Sequence, residues 1–198
     1  MPEFVLPRLL LAAAAVAITA ATPAPHAKVM EHYKVTGQIA GPDGGWDYAS
    51  VDPATRTLYV AHGDKVLAVD LAHDNKVRSF GRIARGHAVV PIAGRPLLLV
   101  TSGQDDSVRL FDTRSDAQLA RIAVGADPHG ATFNAATGEA AVMDARAGTV
   151  SVIDVAQHEV ARTIALKPGL EFAQFGPHDT LFVNNEDESL IETADVGK

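Results

Sequence analysis

Short apolar segments alternate with turn residues along most of the chain, and the same pattern returns about every 42 residues. In the first complete copy, alternating or continuous apolar positions predict four strands, at 46–51, 57–61, 65–70 and 76–80. Asp52-Pro53, His62-Gly63-Asp64 and Asp74-Asn75 lie between them and favour turns. The pattern therefore predicts short β strands in groups of four, with no helical periodicity after the N-terminal segment.

The repeat unit occurs four times, at 46–83, 87–124, 129–166 and 171–198. An aspartate ends the third strand of each unit, and successive copies lie 42, 42 and 41 residues apart: Asp70, Asp112, Asp154 and Asp195. An aspartate at such a point can accept a hydrogen bond from the backbone amide two residues on. We expect these four residues to fix turns, with calcium binding as the alternative.

Four short strands in a unit of this length are typical of an all-β fold, a β-propeller of four-stranded antiparallel blades. One blade cannot bury both of its faces, so neighbours must stack around an axis. About three and a half to four blades are present, because the fourth unit lacks its outermost strand. A further strand is predicted at 32–39, where polar and apolar residues alternate.

Two ring closures fit these units. The strand at 32–39 could complete the fourth unit and close a four-bladed ring, or it could close the last blade of a larger propeller with about seven blades. We favour the larger ring because the sequence stops in the middle of a unit. In that case an apolar blade face is exposed here.

The first 27 residues differ from the rest. An apolar run, Leu9–Ala21, follows Arg8 and precedes a breaker-rich segment that ends in Ala27, as in a cleaved signal peptide. We expect a signal peptide at 1–27 and a propeller domain at 28–198, in the periplasm or secreted; a retained anchor is the alternative. No later apolar run reaches membrane-spanning length, so no membrane span is expected in the mature chain.

Composition narrows the classes of function. The net charge is -7, and no lysine or arginine cluster is present, so no nucleic-acid partner is expected. The chain has no cysteine, which excludes disulfides, thiol nucleophiles and cysteine-based zinc sites. Motifs for a serine hydrolase elbow, a phosphate-binding loop and covalent haem attachment are also missing.

Two segments, Tyr59–His62 and Phe182–Asn185, resemble the Tyr-Val-Thr-Asn core of the YVTN β-propeller repeats. The segments 44–48, 51–60 and 124–130 are similar to YncE-like exported members of that family. The resemblance implies export and a propeller of about seven blades. It implies no single activity, because the family has relatives among quinoprotein dehydrogenase chains and haem-containing reductases, while most members have no assigned chemistry.

Candidate site residues follow from the repeat. Asp47, His87, His129 and Glu171 each lie four residues before the same apolar position of the innermost strand. These side chains should surround one mouth of the central channel. They would converge in a four-bladed ring and be dispersed in a wider one. Convergence would allow a metal such as zinc, whereas the simpler interpretation is a solvated rim.

Trp46 is the only tryptophan and follows two glycines, so it could be an exposed stacking platform at the same mouth or could pack between blades. The other histidines fall in predicted turns and are expected at the surface: His62, His73, His158 and His178.

The sequence favours a binding scaffold for a protein or small ligand at the channel mouth. No catalytic residue is assigned and no cofactor is expected. The alternative is an enzyme or enzyme subunit with metal, quinone or haem-linked redox or hydrolytic chemistry.

Overall fold

The structure, a computed structural model, describes residues 33–197. Within that range it contains fifteen β strands, two single-turn 3-10 helices at Gly103–Asp105 and Pro177–Asp179, and no α-helix. The predicted signal peptide lies outside the described residues. The strands are β1 Trp46–Asp52, β2 Thr57–His62, β3 Lys65–Asp70, β4 Lys76–Phe80, β5 Gly86–Ile92, β6 Leu97–Ser102, β7 Ser107–Asp112, β8 Gln118–Ala123, β9 Pro128–Asn134, β10 Glu139–Asp144, β11 Thr149–Asp154, β12 Glu159–Ala165, β13 Leu170–Phe175, β14 Thr180–Asn185 and β15 Leu190–Asp195.

The strands form antiparallel sheets in simple sequence order. β1 to β4, β5 to β8 and β9 to β12 make three four-stranded blades, and β13 to β15 make a three-stranded fourth blade. The prediction of a β-propeller with about three and a half to four blades is confirmed. In the first blade the predicted strands agree with the observed ones, except that β1 and β2 each extend one residue further, to Asp52 and His62.

The additional strand predicted at 32–39 is not formed. His32 lies outside the described residues, and residues 33–39 contain no strand. Tyr33 and Val35 are 92% and 87% exposed, so the alternating pattern has no core to bury its apolar side. A strand also needs a partner for its backbone amides and carbonyls, which alternation alone cannot supply.

Apolar side chains hold the blades together face to face. Between the first two blades, Phe80 packs edge-on against Phe111, with ring centroids 5.5 Å apart. Within the first blade Phe80 also packs edge-on against Tyr59, at 6.5 Å. Similar buried clusters join the second blade to the third and the third to the fourth. This stacking brings the innermost strands side by side, with β1 against β5, β5 against β9, and β9 against β13.

The outer face of the fourth blade carries apolar residues that nothing in the described chain covers. Phe182 is 43% exposed, although its repeat equivalents Tyr59 and Leu99 are buried by the next blade. Ile191 is 67% exposed as well. The predicted exposed apolar blade face is therefore present.

The repeated aspartates have the predicted structural role. Each accepts a hydrogen bond from the backbone amide two residues further on, and the donor amides belong to Ala72 (2.9 Å), Arg114 (2.9 Å), Ala156 (2.8 Å) and Gly197 (3.0 Å). At Asp112, the backbone amide of Ser115 and further donors of the same turn lower the pKa of the carboxyl to about 2. The carboxylate form is thus the one that holds the turn.

A second repeated feature is a buried polar residue at the end of the second strand of each blade. Three of these residues bind the segment that leads into their own blade: His62 contacts the Pro42 carbonyl (3.2 Å), Ser102 accepts from the Ala84 amide (2.8 Å), and Asn185 donates to the Pro168 carbonyl (2.9 Å). The surface prediction for His62 is wrong because the ring serves this contact. The other three turn histidines, His73, His158 and His178, are exposed as predicted.

Asp144 is the third-blade member of this set. Its Oδ2 accepts hydrogen bonds from the hydroxyls of Thr149 (2.8 Å) and Ser151 (2.7 Å), while Oδ1 is buried with no hydrogen-bond partner among residues 33–197. Burial raises the pKa of the Asp144 carboxyl to about 6, although both hydroxyls act in the opposite direction. An ionised Asp144 is therefore costly in the folded state.

We predict that Asp144→Asn stabilises the protein at neutral pH. A carboxyl whose pKa is raised on folding favours the folded state below its unfolded pKa and loses that contribution as pH rises through the folded pKa. A rise from 3.8 to about 6 corresponds to about 3 kcal/mol. The variant should gain about 1–3 kcal/mol of unfolding free energy at pH 7.5 and little at pH 4, as measured by urea denaturation.

The matched control is Asp187→Asn, which removes the same charge from an exposed loop. It should leave the pH dependence of the unfolding free energy unchanged. The assignment to Asp144 is wrong if Asp144→Asn unfolds with the wild-type pH dependence.

Candidate functional site: the channel-mouth cluster

A β-bulge near the start of each innermost strand determines where the candidate side chains point. The pairing register shifts between Trp46 and Ala49 in β1, between Gly86 and Val89 in β5, and between Leu170 and Ala173 in β13. In β9 the corresponding shift lies between Pro128 and Ala131, which pair with Asp144 and Val142 of β10. Because a bulge re-aims side chains, the same local irregularity turns one residue of each blade toward the channel mouth.

The four predicted residues converge as two histidine–carboxylate pairs. The Nδ1 atom of His87 lies 2.8 Å from Oδ2 of Asp47, and the Nδ1 atom of His129 lies 2.7 Å from Oε2 of Glu171. The two imidazoles stack with centroids 4.1 Å apart and planes inclined by 30°. Each blade thus supplies one member of a continuous row.

Tyr48 joins the first blade to the fourth. Its hydroxyl donates a hydrogen bond of 2.5 Å to Oε1 of Glu171, and its ring lies 5.9 Å from that of Phe172. Burial raises the pKa of the Tyr48 hydroxyl, and the nearby Glu171 carboxylate raises it further. Burial also raises the pKa of Glu171, but the hydrogen bonds from Tyr48 and His129 outweigh it and leave that pKa below its ordinary value.

Asp127 is a member of the site that the sequence did not assign. It lies in the turn before β9 with φ at +58°, a left-handed conformation shared by the repeat-equivalent residues Arg85 (+59°) and Gly169 (+92°). Aspartate adopts this region more readily than most residues. The turn brings Oδ1 of Asp127 to 3.6 Å from Nε2 of His129.

Three polar atoms of the cluster face one another with no hydrogen-bond partner in the described part of the chain. They are Nε2 of His87, Nε2 of His129 and Oδ1 of Asp127. Each of these three residues offers a potential ligand atom within 4.8 Å of those of the other two. Burial lowers the pKa of His87, and the neighbouring His129 lowers it further, so a neutral imidazole is favoured there. We call Asp47, Tyr48, His87, Asp127, His129 and Glu171 the channel-mouth cluster.

Trp46 does not join this cluster. Its indole is 52% exposed and meets the ring of His62 edge-on, with centroids 5.0 Å apart. It lines a small recess on the first blade together with Gly41, Val60 and Leu67. Trp46 packs against His62, whereas Asp47 binds His87, so the proposed stacking platform does not lie beside the imidazoles.

A cavity of about 410 Å³ adjoins the cluster. All of its lining residues belong to the innermost strands or to the turns that follow them, and they include Tyr48, Ala88, Ala131 and Phe133. Its walls are mainly apolar, while Tyr48 links it to Glu171. Tyr48 is the member of the channel-mouth cluster among the cavity's lining residues, and Ala88 directly follows His87 in β5.

Sequence comparison gave no assignment: no protein-family model and no curated protein sequence matches the chain. Solved structures do resemble it. A chain described as Kuenenia stuttgartiensis hydrazine synthase superposes with a TM-score of 0.70 at 21% identity, over 83% of this chain and 50% of that one. A streptogramin B lyase structure superposes with a TM-score of 0.64 at 9% identity, over 80% of this chain and 57% of that one.

These likenesses support the propeller fold and nothing more specific, given the low identities. The chain spans only 50% and 57% of the length of the two structures. Among residues 33–197, no helix has the length and apolar character needed to cross a bilayer.

We predict that Tyr48→Phe destabilises the folded protein by removing one hydrogen bond of the channel-mouth cluster, without changing the shape of the cluster. Loss of the hydrogen bond to Glu171 should lower the unfolding free energy at neutral pH by about 1–2 kcal/mol. Because the pKa of Glu171 is depressed on folding, this loss should shrink as pH falls through that pKa. Carbon-13 NMR titration of the Glu171 carboxyl should show an upward shift of its pKa.

Tyr33→Phe, a change at an exposed tyrosine, is the control and should alter neither measurement. An unchanged Glu171 titration in Tyr48→Phe would show that the hydroxyl does not support the carboxylate in solution.

Proposed function

We propose that the chain is an exported YVTN-type propeller scaffold that binds a small ligand at the channel mouth. The ligand places an apolar body in the channel and a polar end against the channel-mouth cluster. One observation carries this proposal: His87, His129 and Asp127 have polar atoms without hydrogen-bond partners among residues 33–197, and they belong to the same cluster as Tyr48, which lines an apolar cavity.

An energetic argument supports a binding role. A buried polar atom without a hydrogen bond costs about 1–3 kcal/mol, so three such atoms in one place weaken the free protein. A bound group that satisfies them recovers that cost. Small-molecule sites commonly combine apolar walls with a few convergent polar groups, and this channel has both.

The nature of the polar end follows from the protonation of the histidines. A carboxylate accepts and cannot donate, so the Nδ1 atoms bonded to Asp47 and Glu171 carry the protons of the neutral rings. Both Nε2 atoms are then acceptors, as is the carboxylate oxygen of Asp127. The cluster therefore favours a hydrogen-bond donor or a cation over an anion.

The finer family assignment and export belong to the same proposal. Support comes from the YVTN-like segments Tyr59–His62 and Phe182–Asn185, which occupy the second strands β2 and β14 of a propeller. Support for export comes from the apolar N-terminal run, which precedes the described residues.

An enzyme acting at the same mouth is the second candidate. The observation that favours it is the orientation of each imidazole by a carboxylate, which suits a general base. Both superposed structures carry the names of enzymes, a synthase and a lyase, although the likeness reaches only the fold. A scaffold leaves its ligand unchanged, whereas an enzyme converts it.

Ligand binding can be tested with matched alkylamines and alkylcarboxylates by saturation-transfer NMR on chelator-treated full-length protein. The amines should show the stronger transfer, because the three facing atoms are acceptors. Ala49→Phe, which narrows the channel, should reduce it several-fold. Ala156→Phe, at an exposed turn outside the channel, should not.

Equal transfer in wild type and Ala49→Phe would place any bound amine elsewhere. Absence of transfer from every probe would remove the channel-ligand proposal, and chemical conversion of a probe would favour the enzyme.

Export is tested by expressing the full chain in a Gram-negative bacterium. The periplasmic fraction should contain a form that begins near Lys28, as identified by mass spectrometry. A variant lacking residues 2–27 should stay in the cytoplasm. An uncleaved form of the full chain in the cytoplasm would contradict the proposal.

A further inference from the structure

We propose that His87 and His129, through Nε2, and Asp127, through its carboxylate, bind a divalent transition-metal ion such as zinc, with a coordination position open to the channel. This inference rests on the proposed role of the channel mouth as a binding site and names its primary occupant. Asp47 and Glu171 do not bind the ion in this arrangement but hold the two imidazoles.

The donor atoms have the chemistry that such an ion requires. Hydrogen bonds from Nδ1 to Asp47 and Glu171 fix the ring orientation, and both Nε2 atoms have no hydrogen-bond partner among residues 33–197. Carboxylates bound to the far nitrogen of metal-binding histidines recur in zinc proteins, where they fix the tautomer and increase ligand basicity.

The distances fit a shared ion. With ligand bonds of about 2.0–2.1 Å, donor atoms of a tetrahedral zinc site lie about 3.3 Å apart. Nε2 of His129 and Oδ1 of Asp127 are separated by 3.6 Å, and His87, Asp127 and His129 each offer a ligand atom within 4.8 Å of those of the other two. Because the two rings are stacked with centroids 4.1 Å apart, coordination of one ion by both Nε2 atoms requires the rings to turn toward that ion.

Gly103 is the second, independent observation. A Cβ atom at this position would lie 2.9 Å from Oδ1 of Asp127 and 3.1 Å from Nε2 of His87, directly against the proposed donors. Gly103 does not have a positive φ, so its backbone conformation does not require glycine. Because glycine has no side chain, it leaves space for an ion beside Asp127 and His87.

Arg85 is the competing positive charge. Its Nη1 atom lies 3.8 Å from Oδ1 of Asp127, beyond hydrogen-bonding distance, and its side chain is 54% exposed. It can balance part of the charge of Asp127, but it has no hydrogen bond to either Nε2 atom within the described residues. A metal cation bound by His87, His129 and Asp127 would satisfy all three side chains together. The positive charge of Arg85 should oppose its binding.

Two imidazoles and one carboxylate form a donor set used by hydrolytic zinc sites and by non-haem iron sites, both of which keep positions free for exogenous ligands. The set lacks the six or more oxygen donors that calcium prefers. We therefore expect transition-metal ions to bind and magnesium and calcium not to compete.

The test uses full-length protein treated with a chelator and then titrated with ZnCl₂ by calorimetry and with CoCl₂ by visible absorption. Wild type should bind one equivalent of zinc with micromolar or stronger affinity and give a cobalt spectrum of low coordination number. Asp127→Asn, His87→Ala and Gly103→Ala should each weaken zinc binding by at least about 100-fold. Arg85→Gln should strengthen it a few-fold.

Matched controls separate donor loss from unfolding. His158→Asn changes an exposed histidine whose positive φ asparagine also adopts, and Gly45→Ala adds a methyl group with no atom within 4 Å. Both should bind zinc as wild type does. Gly103→Ala retains every donor, so its circular dichroism melt shows whether lost binding accompanies a folded protein.

Zinc binding that is absent from wild type, or that survives both Gly103→Ala and Asp127→Asn, overturns the inference. The amine and carboxylate probes distinguish this failure from failure of the channel-ligand proposal. If zinc does not bind but amines still enter the channel, only the metal inference falls. If zinc binds and neither amines nor carboxylates bind, the metal site stands and the channel-ligand proposal falls. If both proposals are correct, bound zinc should make the channel prefer alkylcarboxylates to alkylamines.

Discussion

The fold depends on one constraint: a four-stranded sheet with two apolar faces must be covered on both sides. Stacking satisfies it, with contacts such as that of Phe80 in the first blade against Phe111 in the second. The site follows from this stacking. Because stacked blades present their innermost strands around one axis, equivalent residues from different repeats become neighbours, although His87 and Glu171 are 84 residues apart.

Proximity alone would not make a site, because four like-placed side chains could all point into solvent. The bulge at the start of each innermost strand supplies the direction, and the chemistry of the residues supplies the pairing. The carboxylates of Asp47 and Glu171 flank the two stacked imidazoles, so the Nδ1 atom of each ring has an acceptor. The Nε2 atoms of both rings have no hydrogen-bond partner among residues 33–197. Burial lowers the pKa of His87 and so disfavours a second proton on its ring.

The repeat period was enough to predict the propeller, the strands of the first blade and the role of the repeated aspartates, because these are properties of each repeat. It was not enough for features that depend on a partner or a local irregularity. The segment 33–39 alternates like a strand but forms none. Side-chain direction at Trp46, Asp47 and Tyr48 depends on the bulge, which interrupts the two-residue period on which sequence reasoning relies. Asp127 was missed because its turn, and not its strand, brings it to the site.

The proposed donors are not distributed evenly over the propeller. His87 and Gly103 come from the second blade, and Asp127 and His129 from the third and the turn before it, so the donors and the space for the ion belong to a single interface between blades. That interface is covered on both sides by further blades. Asp47 and Glu171 come from these flanking blades and orient the rings from outside. The contact between the third and fourth blades therefore separates the uncovered face of the fourth blade, with Phe182, from the proposed metal ligands. A change on that face should first alter the orientation of the His129 ring, through Glu171, and only then affect the metal ligands themselves.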